Sequence, residues 1–62
     1  MKIRVESCWS GGDCFSFRLS TKDGKRFTLP GEVWNRRTAR EALNLLETEL
    51  GVDRRRVRFH VV

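Results

Sequence analysis

The chain has 62 residues, 39% hydrophobic and 34% charged, a balance that allows one small domain and excludes a second. A chain this short buries only about 60% of the surface its unfolded form exposes, so no deep pocket is expected. Thirteen Lys and Arg oppose eight Asp and Glu for a formal net charge of +5, and ten of the thirteen are arginine, which favours a polyanionic partner.

The first residues, Met1-Lys2-Ile3-Arg4-Val5-Glu6, alternate charged and apolar side chains. They read as neither a signal peptide nor a membrane span, so a cytoplasmic protein with no membrane partner is expected. From Lys2 to Trp9 the period of two continues, with Ile3, Val5 and Trp9 on one side and Lys2, Arg4, Glu6 and Cys8 on the other, the pattern of a half-buried strand. Ser10-Gly11-Gly12-Asp13 is turn chemistry. After it Phe15, Phe17 and Leu19 alternate with Cys14, Ser16, Arg18 and Ser20, which predicts a second strand. Beyond Lys22-Asp23-Gly24 a third strand is expected, with Phe27 and Leu29 on one side and Arg26 and Thr28 on the other.

The turn chemistry fixes the register of the second hairpin. A two-residue Asp23-Gly24 loop would set Ser20 against Phe27, whereas a three-residue loop with Gly24 left-handed pairs Leu19 with Phe27 and Arg18 with Thr28, so all apolar residues share a face. The same reasoning applied to the first hairpin pairs Val5 with Phe17 and Cys8 with Cys14.

Pro30-Gly31 ends the third strand. Thr38-Ala39-Arg40-Glu41 has the spacing of a capping box, predicting a helix from about Ala39 to Leu50 that Gly51 terminates. Ala39, Ala42, Leu43, Leu46 and Leu50 form its apolar stripe, while Arg40, Asn44 and Glu47 face water. Val57 to Val62 alternate again as a fourth strand, with Arg58 and His60 opposite Val57, Phe59 and Val61. The expected architecture is α+β, strand-strand-strand-helix-strand, one sheet with a single helix packed on one face and the last strand parallel to the first or the third, the first being preferred. Its core is Ile3, Val5, Phe15, Phe17, Leu19, Phe27, Leu29, Leu43, Leu46, Leu50, Phe59 and Val61, with Trp9 and Trp34 closing the ends.

The uncovered face then carries Lys2, Arg4, Arg18, Arg26 and Arg58 against one acid, Glu6. Solubility explains a polar open face, but mixed signs would serve it equally. Arginine forks match phosphate and guanine edges in two-point geometry, so Arg4, Arg18, Arg26 and Arg58 are candidate nucleic-acid contacts. Arg36, Arg37 and Arg40 cluster at the predicted helix start, where the helix dipole disfavours cations, and are candidate phosphate contacts. Arg54-Arg55-Arg56 reads as a basic loop. Cys8 and Cys14 are too few for a disulfide-rich scaffold or a four-cysteine zinc site, and with His60 they supply too few metal donors. No pocket or orienting group supports nucleophilic catalysis, so no enzyme, metal or cofactor is expected.

Two resemblances add to this reading. Lys25-Arg26-Phe27-Thr28-Leu29, then Thr38-Ala39-Arg40-Glu41-Ala42 with Leu46, Glu49 and Leu50, resembles the arm-type DNA-binding domains of phage and transposon integrases and, more distantly, plant AP2 domains, over about residues 14 to 50. The resemblance implies an open sheet face laid into the major groove, with Arg4, Arg18 and Arg26 on DNA. Over about residues 15 to 61, Thr38-Ala39-Arg40-Glu41-Ala42-Leu43-Asn44-Leu45-Leu46-Glu47 and Arg56-Val57-Arg58 look like the small T7-type phage inhibitor of bacterial RNA polymerase. That resemblance implies polymerase contacts by Arg56 and Arg58, and anti-CRISPR proteins belong to the same class of inhibitor. Both imply a phage or mobile-element setting. The expected function is a basic module engaging nucleic acid, DNA ahead of RNA; the alternative is an inhibitor of a host nucleoprotein complex. Association as a homodimer is left open.

Overall fold

A computed structural model describes all residues from Met1 to Val62. The elements are β1 (Lys2–Trp9), β2 (Phe15–Thr21), β3 (Arg26–Pro30), α1 (Arg36–Leu50), a 3-10 turn (Arg54–Arg56) and β4 (Arg58–Val61). They form one four-stranded sheet in the order β3-β2-β1-β4, with β4 parallel to β1 and the other pairs antiparallel. The order and the α+β class match the expectation from periodicity. No helix is long and apolar enough to cross a membrane.

The β2–β3 hairpin has the expected register, Leu19 opposite Phe27 and Arg18 opposite Thr28. Gly24 takes φ 96°, and the loop is tied by Thr21, whose hydroxyl donates to Asp23 and accepts the Lys25 N–H at 2.9 Å. That hydroxyl bond holds the Asp23 carboxyl below its ordinary pKa.

The first hairpin departs from the expected pairing. Val5 lies opposite Leu19 rather than Phe17, and Cys8 opposite Ser16 rather than Cys14. The loop sits one residue later, closed by the Ser10 N–H on the Cys14 carbonyl at 3.0 Å. This register brings Trp9 opposite Phe15, where the rings stack with centroids 6.4 Å apart and the indole N–H reaches the Gly12 carbonyl at 3.0 Å. A shift of the pairing by two residues keeps every side chain on its face, so alternation alone does not detect it. Cys8 and Cys14 are therefore not opposite one another, and both thiols are free.

The fully buried core is Ile3, Val5, Phe17, Leu19, Ala42 and Leu46. Phe27, Leu29, Trp34, Leu45, Leu50, Val52, Val57 and Phe59 pack around it. Trp34 closes one end as expected, edge-on to Phe17 at 5.3 Å and to Phe59 at 5.0 Å. Trp9 does not close the other: it is 67% exposed, and Val61 on the edge strand is also exposed.

The helix starts three residues before the expected Ala39. Asn35 is the N-cap, its side-chain oxygen accepting the Thr38 N–H at 3.0 Å. Thr38 is buried inside the first turn and donates its hydroxyl to the Val33 carbonyl at 2.8 Å, so it ties the incoming chain down instead of opening the helix. Leu45, rather than Leu43, joins Ala42 and Leu46 against the sheet. Gly51 ends the helix as expected, at φ 65° with its N–H on the Glu47 carbonyl at 2.9 Å.

Candidate nucleic-acid interface

Because Ala42 and Leu46 pack on Ile3, Val5, Phe17 and Leu19, the other face of the sheet is left uncovered. Its rows follow from the strand registers. One row runs Arg26, Ser20, Arg4, His60 across all four strands. The next runs Thr28, Arg18, Glu6, and a third sets Lys2 beside Arg58. With neighbouring strands about 4.8 Å apart, Arg26 and Arg4 stand roughly 10 Å apart with the small Ser20 between them.

Glu6, the one acid on this face, lies opposite Arg18 but pairs with Arg4 on its own strand, through Nε at 3.5 Å. Arg18, Arg26 and Arg58 are exposed and take part in no ion pair. Three arginine forks on one flat surface are therefore free to engage an external anion. A shallow hollow at the same end of the face is lined by Lys2, Arg4, Ser20, Thr21, Lys22 and His60. Reading the sequence by strands missed Lys22, which belongs to the turn; the signal was its position directly after Ser20 and Thr21, at the end of the Arg4 row.

The second basic cluster does not join the first. Arg36 and Arg37 occupy the first helical turn and Arg40 the next, so all three stand on the helix side of the sheet. Arg37 pairs with Glu41 at 3.6 Å. A flat contact with the open face leaves these arginines facing away from the ligand.

The basic loop resolves into separate roles. Arg54 reaches back to α1, donating from Nε and Nη2 to Glu47 at 2.9 and 2.6 Å and from Nη2 to Asn44 at 2.9 Å. It is a clamp within the protein, which sequence reading as a free basic loop missed. The guanidinium holds the Glu47 carboxyl below its ordinary range, and the carboxylate raises the arginine's own pKa. Arg55 pairs with Asp53 at 3.1 Å and depresses that carboxyl too. Arg56 lines a different hollow, with Met1, Gly51, Val52 and Asp53, and its carbonyl accepts the N-terminal ammonium at 2.5 Å. Arg58 projects from the open face beside Lys2. No group of three or more His, Cys, Asp and Glu side chains comes together to hold a metal ion.

The chain matches no known protein-family model, no curated protein and no solved structure.

Proposed function

We propose that this protein is a small, non-enzymatic, cytoplasmic module that binds nucleic acid, DNA in preference to RNA, through the open face of its sheet. The observation that carries the reading is the basic excess of the face: five cations, Lys2, Arg4, Arg18, Arg26 and Arg58, share it with one acid, Glu6, and three of the arginines have no internal partner. Leaving such charges unneutralised serves a ligand better than it serves solubility, which both signs would satisfy. Arginines on a rigid sheet lose less freedom on binding than arginines on a loop, so a phosphate backbone meets donors already placed.

The test is binding of short duplex and single-stranded DNA and RNA at about 50 and 200 mM salt, across which a handful of phosphate contacts loses affinity steeply. Each of Arg18→Ala, Arg26→Ala and Arg58→Ala is expected to weaken binding and to reduce the salt slope by about one if its guanidinium neutralises a phosphate. An arginine that reads guanine instead relaxes sequence preference at a cost of about 1–3 kcal/mol. Undetectable binding at the lower salt, or binding that survives all three substitutions, overturns the reading and transfers the search to a protein target contacted through Arg56 and Arg58.

A further inference from the structure

The hollow at the end of the open face has a chemistry of its own. Lys2, Arg4 and Lys22 enter it from β1 and the β2–β3 turn, His60 from β4, and Ser20 and Thr21 from the end of β2. No apolar residue lines it, so the hollow has no Phe, Tyr or Trp for a nucleobase to stack on, and its polar lining favours a charged group. No carboxylate lines it either: Asp23 is engaged by the Thr21 hydroxyl, and Glu6 meets Arg4 only through Nε. Ser20, Arg4 and His60 lie in one cross-strand row spanning roughly 10 Å, with Lys2 about 7 Å along β1 on the same face. Two lysines without an internal counter-charge, an arginine that meets Glu6 only through Nε, a hydroxyl and an imidazole around a small concavity match a compact anion of more than one charge.

We propose that this hollow is a phosphate site that takes a dianion, either the terminal phosphomonoester of a nucleic-acid strand or free inorganic phosphate. Lys2, Arg4 and Lys22 supply charge and donors, and Ser20 Oγ and His60 complete the shell. An internal phosphodiester carries a single charge, whereas a terminal phosphomonoester carries nearly two at neutral pH, which suits three cations better. The position suits it as well, because a strand laid along Arg18, Arg26 and Arg58 finds the hollow at the margin of the face. The strand-end source rests on the nucleic-acid reading of that face; the phosphate site itself does not.

Two measurements on the full chain test the site. In the first, short duplexes identical except for a 5′-phosphate or a 5′-hydroxyl are compared at about 50 mM salt. The phosphorylated duplex is expected to bind about tenfold tighter, the effect of one charge-assisted hydrogen bond, and Lys2→Gln and Lys22→Gln are expected to erase that preference. Both lysines are exposed, and neither substitution touches the core. In the second, inorganic phosphate is titrated against chloride at equal ionic strength while the backbone amides are followed by NMR. Phosphate-specific shifts are expected at Ser20, Lys22 and His60 and are expected to vanish in Lys22→Gln.

Shifts without an end preference assign the site to free phosphate. Shifts in a protein that binds no duplex support the phosphate site while the nucleic-acid reading fails. Equal affinity for both duplex ends together with no phosphate-specific shifts overturns the proposal, even if the duplexes bind well. An end preference or a set of shifts that persists in the lysine variants overturns it too, because the phosphate then sits elsewhere.

Discussion

Gly24 sits third in the Lys22-Asp23-Gly24 loop, at φ 96°, where an added Cβ meets nothing within 4 Å. The cost of a side chain there is purely conformational, about 1–2 kcal/mol for an L-residue held left-handed. Gly24→Val is accordingly expected to lower stability by about that amount, and Gly24→Asn by less, since asparagine tolerates the left-handed region. Thermal melts of the two variants check this, and an unchanged melting temperature for the valine would show that the turn adopts another form without penalty. The Thr21 hydroxyl matters for the same loop, since it satisfies both Asp23 and the Lys25 amide and so orders the segment from which Lys22 projects.

At the scale of the element, α1 is charged against its own dipole. Its first turn contains no acid and its last turn no base, with Arg36 and Arg37 at one end and Glu47 and Glu49 toward the other, a distribution that local electrostatics disfavours. Arg54 offsets the C-terminal end by carrying a guanidinium to Glu47 from seven residues downstream. Glu47 therefore titrates below its ordinary range when folded, which means the unfolded chain binds the proton more readily. The pair stabilises the fold at neutral pH, and its contribution is lost as the pH falls from about 4.3, the ordinary glutamate value, through the lower folded one. Glu47→Gln is expected to lower the melting temperature at pH 7 and to lose most of that difference under acid conditions. A difference that persists unchanged at low pH would show that the glutamate acts by packing rather than by charge.

Considered as a whole molecule, the chain has two basic sides separated by its sheet and core. Arg18, Arg26 and Arg58 leave from the open face, and Arg36, Arg37 and Arg40 from the helix side. A helix packed on a sheet holds its outer charges beyond the screening length of about 8 Å at physiological salt, so the two sets act nearly independently on a ligand. Neutralising Arg36, Arg37 and Arg40 together is expected to leave the salt slope of nucleic-acid binding unchanged, while neutralising the three face arginines reduces it by about three. Replacing cations in the first helical turn removes an unfavourable dipole interaction, so the helix-side variant is also expected to melt no lower than the parent. A comparable loss of binding from both variants would mean that the ligand wraps around the molecule instead of lying flat on one face.

Period-two alternation in residues 2 to 9, 15 to 20, 26 to 29 and 57 to 62, with Gly24 in its turn, determined the strands, the β2–β3 register and the face on which Arg4, Arg18, Arg26 and Arg58 stand. These follow from the sequence alone because the pleat ties parity to burial. The β1–β2 offset was visible only in the folded structure, since a shift by two preserves parity; the register adopted is the one that sets Trp9 opposite Phe15. The helix start was decided in the same way. Thr38 satisfies the local cap pattern, but its hydroxyl is drawn to the Val33 carbonyl, which leaves Asn35 to cap the helix and carries Arg36 and Arg37 into its first turn. The partition of the arginines also depended on distances that no local pattern encodes: Arg54 is taken by Glu47 and Asn44 across the helix end, and the hollow that gathers Lys2, Arg4, Lys22 and His60 exists only once β4 lies beside β1 and the Lys22 turn closes beside them.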